Sequence, residues 1–257
     1  MLSQDSLERA TSQAGISSRP RFLETTASTN ADALAAAEEG AAEWTVVAAG
    51  HQSAGRGRLG RSWADAPGTA LLFSVVLRPP VPPAAAAAIS LLAAVEMGRA
   101  ARPAPVVAKW PNDLLVGEKK VGGILPEARV RAGSIEHLVL GIGVNVTTAP
   151  DDLPPDVREV ATGLAAEGGP ADPATLLAAF LTGFRNAYRP WEPGFVGRVV
   201  GEYAKVCATI GRRVRVTTTS GRTVEGVATG VDERGALVVA AGGRTEPVAF
   251  GEVAHLG

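Results

Sequence analysis

The chain has 257 residues, 46% of them apolar, and its 25 basic and 26 acidic side chains leave a formal net charge of −1. This composition is typical of a globular protein, and the length fits one large domain with a small one attached. The near-neutral charge argues against a protein whose main task is to wrap nucleic acid. The chain has one cysteine, Cys207, which excludes an internal disulfide framework. Its three histidines are scattered and do not have the spacing of metal ligands.

The N-terminal segment has no targeting signal. Residues 1–20 are polar, and no run in the chain approaches the roughly 18 apolar residues of a membrane span. We therefore expect a soluble, cytoplasmic protein that begins with a flexible segment over residues 1–20.

Predicted helices and strands are mixed between residues 21 and 208. Thr29 and Asp32 fit a capping box, and Gly40 fits the end of the helix that follows. The predicted helices cover residues 29–39, 84–101, 156–167 and 173–189, and the predicted strands cover residues 44–49, 70–77, 106–109, 114–116, 120–125 and 135–140. This mixture predicts an α+β domain.

The last 49 residues have a different character. Short β-branched runs at residues 214–217, 223–231, 236–240 and 247–250 are separated by glycine-containing turns. Regular short strands with turn signals predict a small all-β barrel over residues 209–257.

A glycine-rich and arginine-rich segment, residues 55–62, follows the predicted strand 44–49, and we call it the glycine–arginine loop. Gly55, Gly57 and Gly60 fit the dinucleotide-binding pattern, and residues 55–62 fit a phosphate loop with arginine in place of lysine. Both patterns need a helix directly after the loop, whereas a turn and a strand follow here. Three arginines on a glycine-rich, flexible backbone could still bind a phosphate or carboxylate group. The alternative is an exposed hairpin loop whose arginines reflect a coding bias, since the chain has 21 arginines and 4 lysines.

Three of the four lysines lie within residues 109–125. Lys109 ends a predicted strand and precedes Trp-Pro, which forces an extended turn and favours a lysine that reaches into a cleft. Asn112 and Asp113 are equally compatible with a plain Asx-turn. Gly122 and Gly123 inside a strand indicate a bulge or close approach of a ligand.

A third segment, residues 141–146, alternates apolar residues with Gly141, Gly143 and Asn145. One face of this strand is therefore apolar and the other is nearly bare. Asn145 on the bare face fits a buried structural residue and a ligand contact equally well.

Five segments together resemble the biotin–protein ligase family. They are residues 28–30, 52–63, 109–114, 120–125 and 141–145, in that family's order and at similar spacings. Residues 230–237 also resemble the family's C-terminal SH3-like barrel. The resemblance implies a mixed β-sheet flanked by helices over residues 21–208, followed by that barrel.

The resemblance implies a two-step reaction with ATP and biotin as substrates, and Mg²⁺ accompanying ATP. Biotin becomes biotinyl-5′-AMP, and a lysine of a biotin carboxyl carrier domain then displaces AMP. The acceptor would belong to an acyl-CoA carboxylase, such as acetyl-CoA carboxylase, or to a pyruvate carboxylase. Such chemistry needs positioning, charge stabilisation and exclusion of water, but no protein nucleophile.

The resemblance also assigns residues. Biotin contacts are expected from Ser28, Thr29, Asn30, Gln52, Arg56, Gly57, Arg58, Lys120, Gly122 and Gly123. Nucleotide contacts are expected from Arg58, Arg61, Trp63, Lys109, Asn112 and Asn145, with Lys109 and Arg58 catalytic and the metal ligands open. The alternative for residues 28–30 is a plain helix cap, and for Trp63 and Trp110 it is packing.

Two departures from the family pattern matter. Pro126 follows Leu125 where the family continues its strand, so this strand is expected to be an edge or to end early. Only 27 residues precede Ser28, too few for a three-helix DNA-binding module, so we expect a ligase without repressor activity and without DNA as a partner. A monomer or a weak homodimer is expected.

Two other functions compete with this interpretation. A lipoyl or octanoyl ligase shares the fold, but the arginine-rich loop and residues 109–113 favour biotin. A non-enzymatic sensor of a small ligand has less need of Lys109 beside three arginines.

Overall fold

A computed structural model describes residues 1–256. Its helices are α1 (Gln4–Gln13), α2 (Thr29–Glu38), α3 (Ala86–Ala100), α4 (Pro155–Arg158), α5 (Pro173–Ala187) and α6 (Phe195–Val206). Its strands are β1 (Arg21–Leu23), β2 (Val46–Ala49), β3 (Ala70–Leu77), β4 (Val107–Lys109), β5 (Asp113–Val116), β6 (Lys119–Arg131), β7 (Ser134–Asn145), β8 (Arg213–Thr218), β9 (Thr223–Val231), β10 (Leu237–Ala241), β11 (Arg244–Val248) and β12 (Gly251–His255).

The first seven strands form one mixed sheet in the order β1-β2-β3-β7-β6-β5-β4. β1 pairs with β2 in parallel, and the remaining neighbours are antiparallel. Successive side chains of a strand point to opposite faces. On β3, Phe73 and Val75 join the main core with α3 and α5, whereas Val76 packs with Ala33 of α2 on the other face. Helices therefore cover both faces of the central strands, which explains why β3 is a continuous apolar run.

The last five strands form a separate antiparallel sheet in the order β11-β10-β9-β8-β12. The sequence predicted four strands here, but residues 244–255 contain two, β11 and β12. The predicted α+β class with a small all-β C-terminal part is confirmed.

The N-terminal prediction was wrong in its details. Residues 4–13 form helix α1 instead of a loosely held segment, with Ser3 and Ser6 making a reciprocal capping box. Leu7 and Ala10 are buried in the main core. The capping box expected at Thr29 is also absent, because Ser28 is the N-cap of α2 and its side chain makes no cap hydrogen bond.

One helical prediction in the second half of the large domain was also wrong, and one helix there was not predicted. Residues 156–167 contain only the short α4 and a 3₁₀ turn at Leu164–Glu167. The sequence reading placed no helix at residues 195–206, where α6 lies. α6 buries Phe195, Val199 and Tyr203 on one face.

Pro126 lies inside β6, which continues to Arg131 and does not end early. β5 pairs with β6 only as far as Gly123, whereas Pro126 pairs with Leu140 of β7. At the proline, β6 therefore has a neighbouring strand on one side only and is locally an edge strand. On its unpaired side, the missing N–H of Pro126 removes no hydrogen bond to another strand.

No helix within residues 1–256 is both long enough and apolar enough to cross a bilayer.

Candidate active site

A cavity of about 340 Å³ lies where the N-terminus of α2, the glycine–arginine loop and strands β4 to β7 meet. Residues 251–253 of β12 complete its wall, so both sheets contribute to it. All the site residues expected from the sequence line this cavity except Gly122 and Asn145.

One end of the cavity is lined by hydroxyl and amide side chains. Gln52 Oε1 accepts hydrogen bonds from the Thr29 amide at 2.8 Å and from Thr29 Oγ1 at 3.1 Å. Ser74 Oγ, on the buried β3, donates to Asn30 Oδ1 at 2.6 Å. Ser28, Thr29 and Asn30 are each 4% exposed. Their conformations are fixed before any ligand arrives, which lowers the entropic cost of binding.

The glycine–arginine loop closes on itself. The Gly57 amide donates to Arg61 O at 2.7 Å, and the Trp63 amide donates to Gly55 O at 2.9 Å. A Cβ at Gly55 would lie 2.6 Å from Trp63 O, so only glycine permits this close approach. A 3₁₀ turn occupies residues 58–60, and no α-helix lies between residues 50 and 69. The loop therefore matches neither phosphate-binding motif, as its sequence context predicted.

The other end of the cavity is positively charged. Arg58, Arg61, Lys109 and Lys120 all line it. Lys120 Nζ lies 2.5 Å from Asp113 Oδ1, and Arg61 pairs with Glu252. Burial lowers the pKa of the Arg58 guanidinium, an effect that Asp113 and Glu252 oppose. Because an arginine stays protonated in proteins, this end is suited to carboxylate and phosphate groups.

Lys109 is the last residue of β4 and faces this charged end. Among the residues that the structure describes, it has no carboxylate partner within ion-pair distance. Its ammonium group is therefore available to an incoming anion.

The bare face of β7 makes room for two side chains of the site. A Cβ at Gly141 would lie 1.9 Å from Asn30 Oδ1, and a Cβ at Gly143 would lie 2.9 Å from Trp63 Cε2. These glycines thus seat the amide of Asn30 and the indole of Trp63 against the sheet.

Gly122 and Asn145 lie outside the lining. A Cβ at Gly122 would lie 2.8 Å from Gly143 O, so this glycine serves the packing of β6 on β7. Asn145 is buried, and its Nδ2 donates to Thr162 O at 3.2 Å. Asn112 does line the cavity, and its Nδ2 donates to Ile124 O at 3.1 Å rather than forming an Asx-turn. Neither Gly122 nor Asn145 is therefore among the proposed ligand contacts.

Comparison with known proteins identifies the family. Residues 22–145 match the Biotin/lipoate A/B protein ligase family, and residues 209–256 match the Biotin protein ligase C terminal domain. The chain is 38% identical over 243 residues to the biotin–[acetyl-CoA-carboxylase] ligase of Mycobacterium tuberculosis, an alignment that covers 90% of this chain and 86% of that relative. The chain belongs to the biotin protein ligase family.

A further relative agrees with this biotin protein ligase assignment, and a solved structure shares the fold. The ligase of the same name from Paracoccus denitrificans is 32% identical, over 85% of this chain and 92% of its own length. The fold matches that of the Aquifex aeolicus biotin protein ligase in complex with biotin and ATP, with a TM-score of 0.73 at 24% identity, over 91% and 97% of the two chains. The family resemblance inferred from the five segments is confirmed.

Sequence reasoning missed several residues of this biotin protein ligase site. Three residues of the C-terminal sheet also line the cavity, and none of the five segments includes them: Gly251, Glu252 and Val253. Ser74 and Glu127 contact Asn30 from β3 and β6. Of these residues, only Glu127 could have been predicted from the sequence. Side chains alternate between the two faces of a strand, so Glu127 lies on the same face of β6 as Gly123 and Leu125.

Proposed function

We propose that the chain is a biotin–[acetyl-CoA-carboxylase] ligase that forms biotinyl-5′-AMP and transfers biotin to a lysine. The supporting observation is a cavity with one end lined by hydroxyl and amide side chains and the other end positively charged. Biotin has the same polarity, with an uncharged ureido ring at one end and a carboxylate at the other.

In the proposed binding mode, the ureido ring is hydrogen-bonded by Ser28, Thr29, Asn30 and Gln52. Hydroxyl and amide groups can both donate and accept, as the N–H and C=O groups of that ring require. Ile124, Leu125 and Ile142 line the cavity and offer apolar surface to the ring and the aliphatic chain. Lys120, already oriented by Asp113, receives the carboxylate.

In the first step, a carboxylate oxygen of biotin attacks the α-phosphorus of ATP. The bond from this phosphorus to the bridging oxygen breaks, and pyrophosphate leaves with the electron pair. Negative charge is shared over the phosphoryl oxygens in the transition state. We assign its stabilisation to Lys109 and Arg58, with Arg61, Asn112 and Trp63 on the nucleotide side.

In the second step, the neutral ε-amine of an acceptor lysine attacks the carbonyl carbon of biotinyl-5′-AMP. The bond from this carbon to the AMP oxygen breaks, AMP leaves, and the amine loses a proton. The mixed anhydride must be kept from water until then. We assign this protection to Arg56, Gly57 and Arg58 of the glycine–arginine loop, which lie along the cavity.

We also propose that ATP enters as its Mg²⁺ complex. Within residues 1–256 no three His, Cys, Asp or Glu side chains group into a metal site. The carboxylates that line the cavity, Asp113 and Glu252, are paired with Lys120 and Arg61. Phosphate oxygens and water would therefore supply most ligands of the ion, as is usual for Mg²⁺ on nucleotides.

The proposed acceptor is the biotin carboxyl carrier domain of an acyl-CoA carboxylase or a pyruvate carboxylase. The proposed site of action is the cytoplasm, where ATP and such an acceptor occur together. A monomer or a weak homodimer is the proposed state.

The rival substrate is lipoate or octanoate. The tails of these acids offer no group that pairs with hydroxyl and amide side chains at the polar end of the cavity. A site built to hydrogen-bond a ligand rejects analogues that leave its polar groups unpaired. Thr29 and Gln52 therefore favour biotin.

The test is exchange of labelled pyrophosphate into ATP with biotin, lipoate or octanoate as the only acid. We expect exchange with biotin alone. Exchange with lipoate or octanoate instead would keep the reaction type and overturn the substrate. No exchange with any acid, from a sample with a cooperative thermal transition, would overturn the ligase activity.

A further inference from the structure

One carboxylate oxygen connects the polar end of the cavity to the glycine–arginine loop. Glu127 Oε2 accepts a hydrogen bond from Asn30 Nδ2 at 2.6 Å and one from Arg56 Nη2 at 3.0 Å. Asn30 belongs to α2, Arg56 to the loop and Glu127 to β6. Glu127 itself does not line the cavity, although Leu125, two residues before it on the same face of β6, does.

Hydrogen bonds fix the orientation of the Asn30 side-chain amide. Its Oδ1 accepts from Ser74, and its Nδ2 donates to Leu125 O at 3.2 Å as well as to Glu127. An amide nitrogen has two hydrogens, and both are engaged. The carboxylate of Glu127 therefore fixes which way the Asn30 amide points.

The loop has few other attachments. Within the described part of the chain, the hydrogen bonds of residues 55–62 are internal to the loop and its flanks, apart from two side-chain contacts. Arg61 pairs with Glu252 of the C-terminal sheet, and Arg56 pairs with Glu127. Glu127 is thus the one side-chain attachment of the loop to the large domain.

We propose that Glu127 is the positioning residue that holds the loop closed over the cavity and sets the orientation of Asn30 at the same time. It acts through Arg56 and Asn30 and does not touch the substrates. This inference rests on the proposed function, since it assigns a cause to the retention of biotinyl-5′-AMP. Pro126 contributes by locking the backbone φ angle at the residue before Glu127.

The pair is partly exposed, with 43% of the Arg56 side chain and 29% of the Glu127 side chain accessible to solvent. Exposed ion pairs shift an equilibrium by about two- to fivefold. We therefore expect an effect of that size on loop opening, rather than an all-or-none loss of activity.

The decisive variant is Glu127→Gln. It keeps the length of the side chain and an oxygen that accepts from Asn30, but removes the charge that attracts Arg56. We expect trypsin to cleave after Arg58 or Arg61 about two- to fivefold faster in the ligand-free protein. We expect the same factor in the release rate of biotinyl-5′-AMP, with an unchanged KM for biotin. Glu127→Ala is expected to raise the biotin KM as well, because Asn30 loses its partner.

Glu136→Gln is the matched control. Glu136 lies on the neighbouring strand β7 and pairs with Arg129 and Arg131, away from the cavity. We expect wild-type values from it in every assay. Arg56→Ala should release the adenylate as fast as Glu127→Gln, and the double variant should release it no faster than either.

Equal cleavage and release rates in Glu127→Gln and the wild type would overturn the proposal. Additive effects in the double variant would also overturn it, because the two residues would then act independently. The proteolysis assay needs neither ATP nor biotin. A wild-type protein that forms no biotinyl-5′-AMP would contradict the proposed function, while the cleavage rates would still decide the role of Glu127.

Discussion

Lys109 differs from the other lysines of the chain in its surroundings. Lys120 is paired with Asp113, Lys205 is paired with Glu202, and Lys119 is exposed at the start of β6. Lys109 instead lines the cavity, as Arg58 and Arg61 also do. A cation without a carboxylate partner, in a cavity lined by further cations, is stabilised when an anion binds there.

Lys109→Ala should therefore slow formation of biotinyl-5′-AMP. Loss of one pre-positioned charge at a reacting phosphate costs about 100- to 1,000-fold in rate. The measurement is pyrophosphate release in a single turnover with biotin and ATP, without acceptor. Lys119→Ala is the matched control, and it should release pyrophosphate at the wild-type rate. A rate for Lys109→Ala within threefold of the control, roughly 0.7 kcal/mol in barrier height, would remove Lys109 from the catalytic residues.

His137 links stability to pH. The residue is 2% exposed, and neither ring nitrogen has a hydrogen-bond partner within residues 1–256. Burial lowers the pKa of its imidazole, and the positive charges of Arg78 and Arg129 lower this pKa further. The negative charges of Glu136 and Glu38 oppose the shift but do not cancel it. In the unfolded chain the ring regains its ordinary pKa of about 6.5. Below that pH the imidazole binds a proton in the unfolded state but not in the folded state. The free energy of unfolding therefore falls as the pH falls.

His137→Leu should weaken this dependence. The free energy of unfolding, measured by urea denaturation, should fall less for the variant than for the wild type between about pH 7.5 and about pH 5.5. The difference in slope cannot exceed about 1.4 kcal/mol per pH unit, the value for one proton. Burial also lowers the pKa of His255, but both proteins share that contribution. Parallel curves would show that His137 is protonated without cost in the folded state.

The local part of the site could be predicted from the sequence, and the long-range part could not. Residues 28–30, 52–63 and 109–113 are short continuous segments, and the fold brings them to one cavity. Glu252 has no such signal, because it reaches the cavity only when the C-terminal sheet docks. A single sequence contains no information on which distant carboxylate will meet Arg61.

At the scale of one strand, β7 separates the two ends of the site. Gly141 makes room for Asn30 at the polar end, and Gly143 makes room for Trp63, which we propose lies on the nucleotide side. The two glycines are two residues apart on one face, so alanine at each position tests one end of the cavity.

Gly141→Ala should raise the KM for biotin, and Gly143→Ala should raise the KM for ATP. Each new Cβ would displace a side chain that the ligand needs, and overpacking of this kind also costs about 1–3 kcal/mol of stability. Gly230→Ala in β9 is the control, because nothing lies within 4 Å of its added Cβ. If both cavity variants raised the two KM values equally, the assignment of separate ends to Asn30 and Trp63 would be wrong.

Strands were easier to predict than helices in this chain. The run at residues 70–77 is apolar throughout because both faces of β3 are covered. α6 was missed because its glycines and β-branched residues disfavour an isolated helix. Its buried residues Phe195, Val199 and Tyr203 recur every four positions, a helical period that tertiary packing exploits. The error at residues 156–167 has the opposite cause. Its composition is compatible with a helix, but residues 160–162 pair with β6 instead, because the Lys120 amide donates to Val160 O at 2.7 Å and the Thr162 amide donates to Lys120 O at 2.9 Å.

At the scale of the whole molecule, Trp110 connects the two sheets. It is 1% exposed, and its Nε1 donates to Gly235 O of the C-terminal part at 2.9 Å. Its backbone amide donates to Thr209 Oγ1 at 3.1 Å. Because Trp110 directly follows Lys109, the docking of the C-terminal sheet and the position of the proposed catalytic lysine depend on the same few residues.

Trp110→Phe should loosen this docking. The carbonyl of Gly235 loses its partner, which costs about 1–3 kcal/mol for a buried group. For a chain of this size, Tm should fall by about 2–4 °C for each kcal/mol. The KM for ATP should also rise, because Glu252 and Arg61 approach each other only while the C-terminal sheet is docked. Trp191→Phe is the matched control, since Trp191 is 58% exposed, and its Tm should stay at the wild-type value.

A lower Tm alone would not separate docking from the small void that phenylalanine leaves in the core. Amide hydrogen exchange separates them, because loosened docking speeds exchange across residues 232–236, whereas a void acts only around residue 110. Faster exchange at both places, together with a raised KM for ATP, is the expected result. Unchanged exchange at residues 232–236 would mean that the other interdomain contacts, such as Arg212 with Glu118, hold the C-terminal sheet without Trp110.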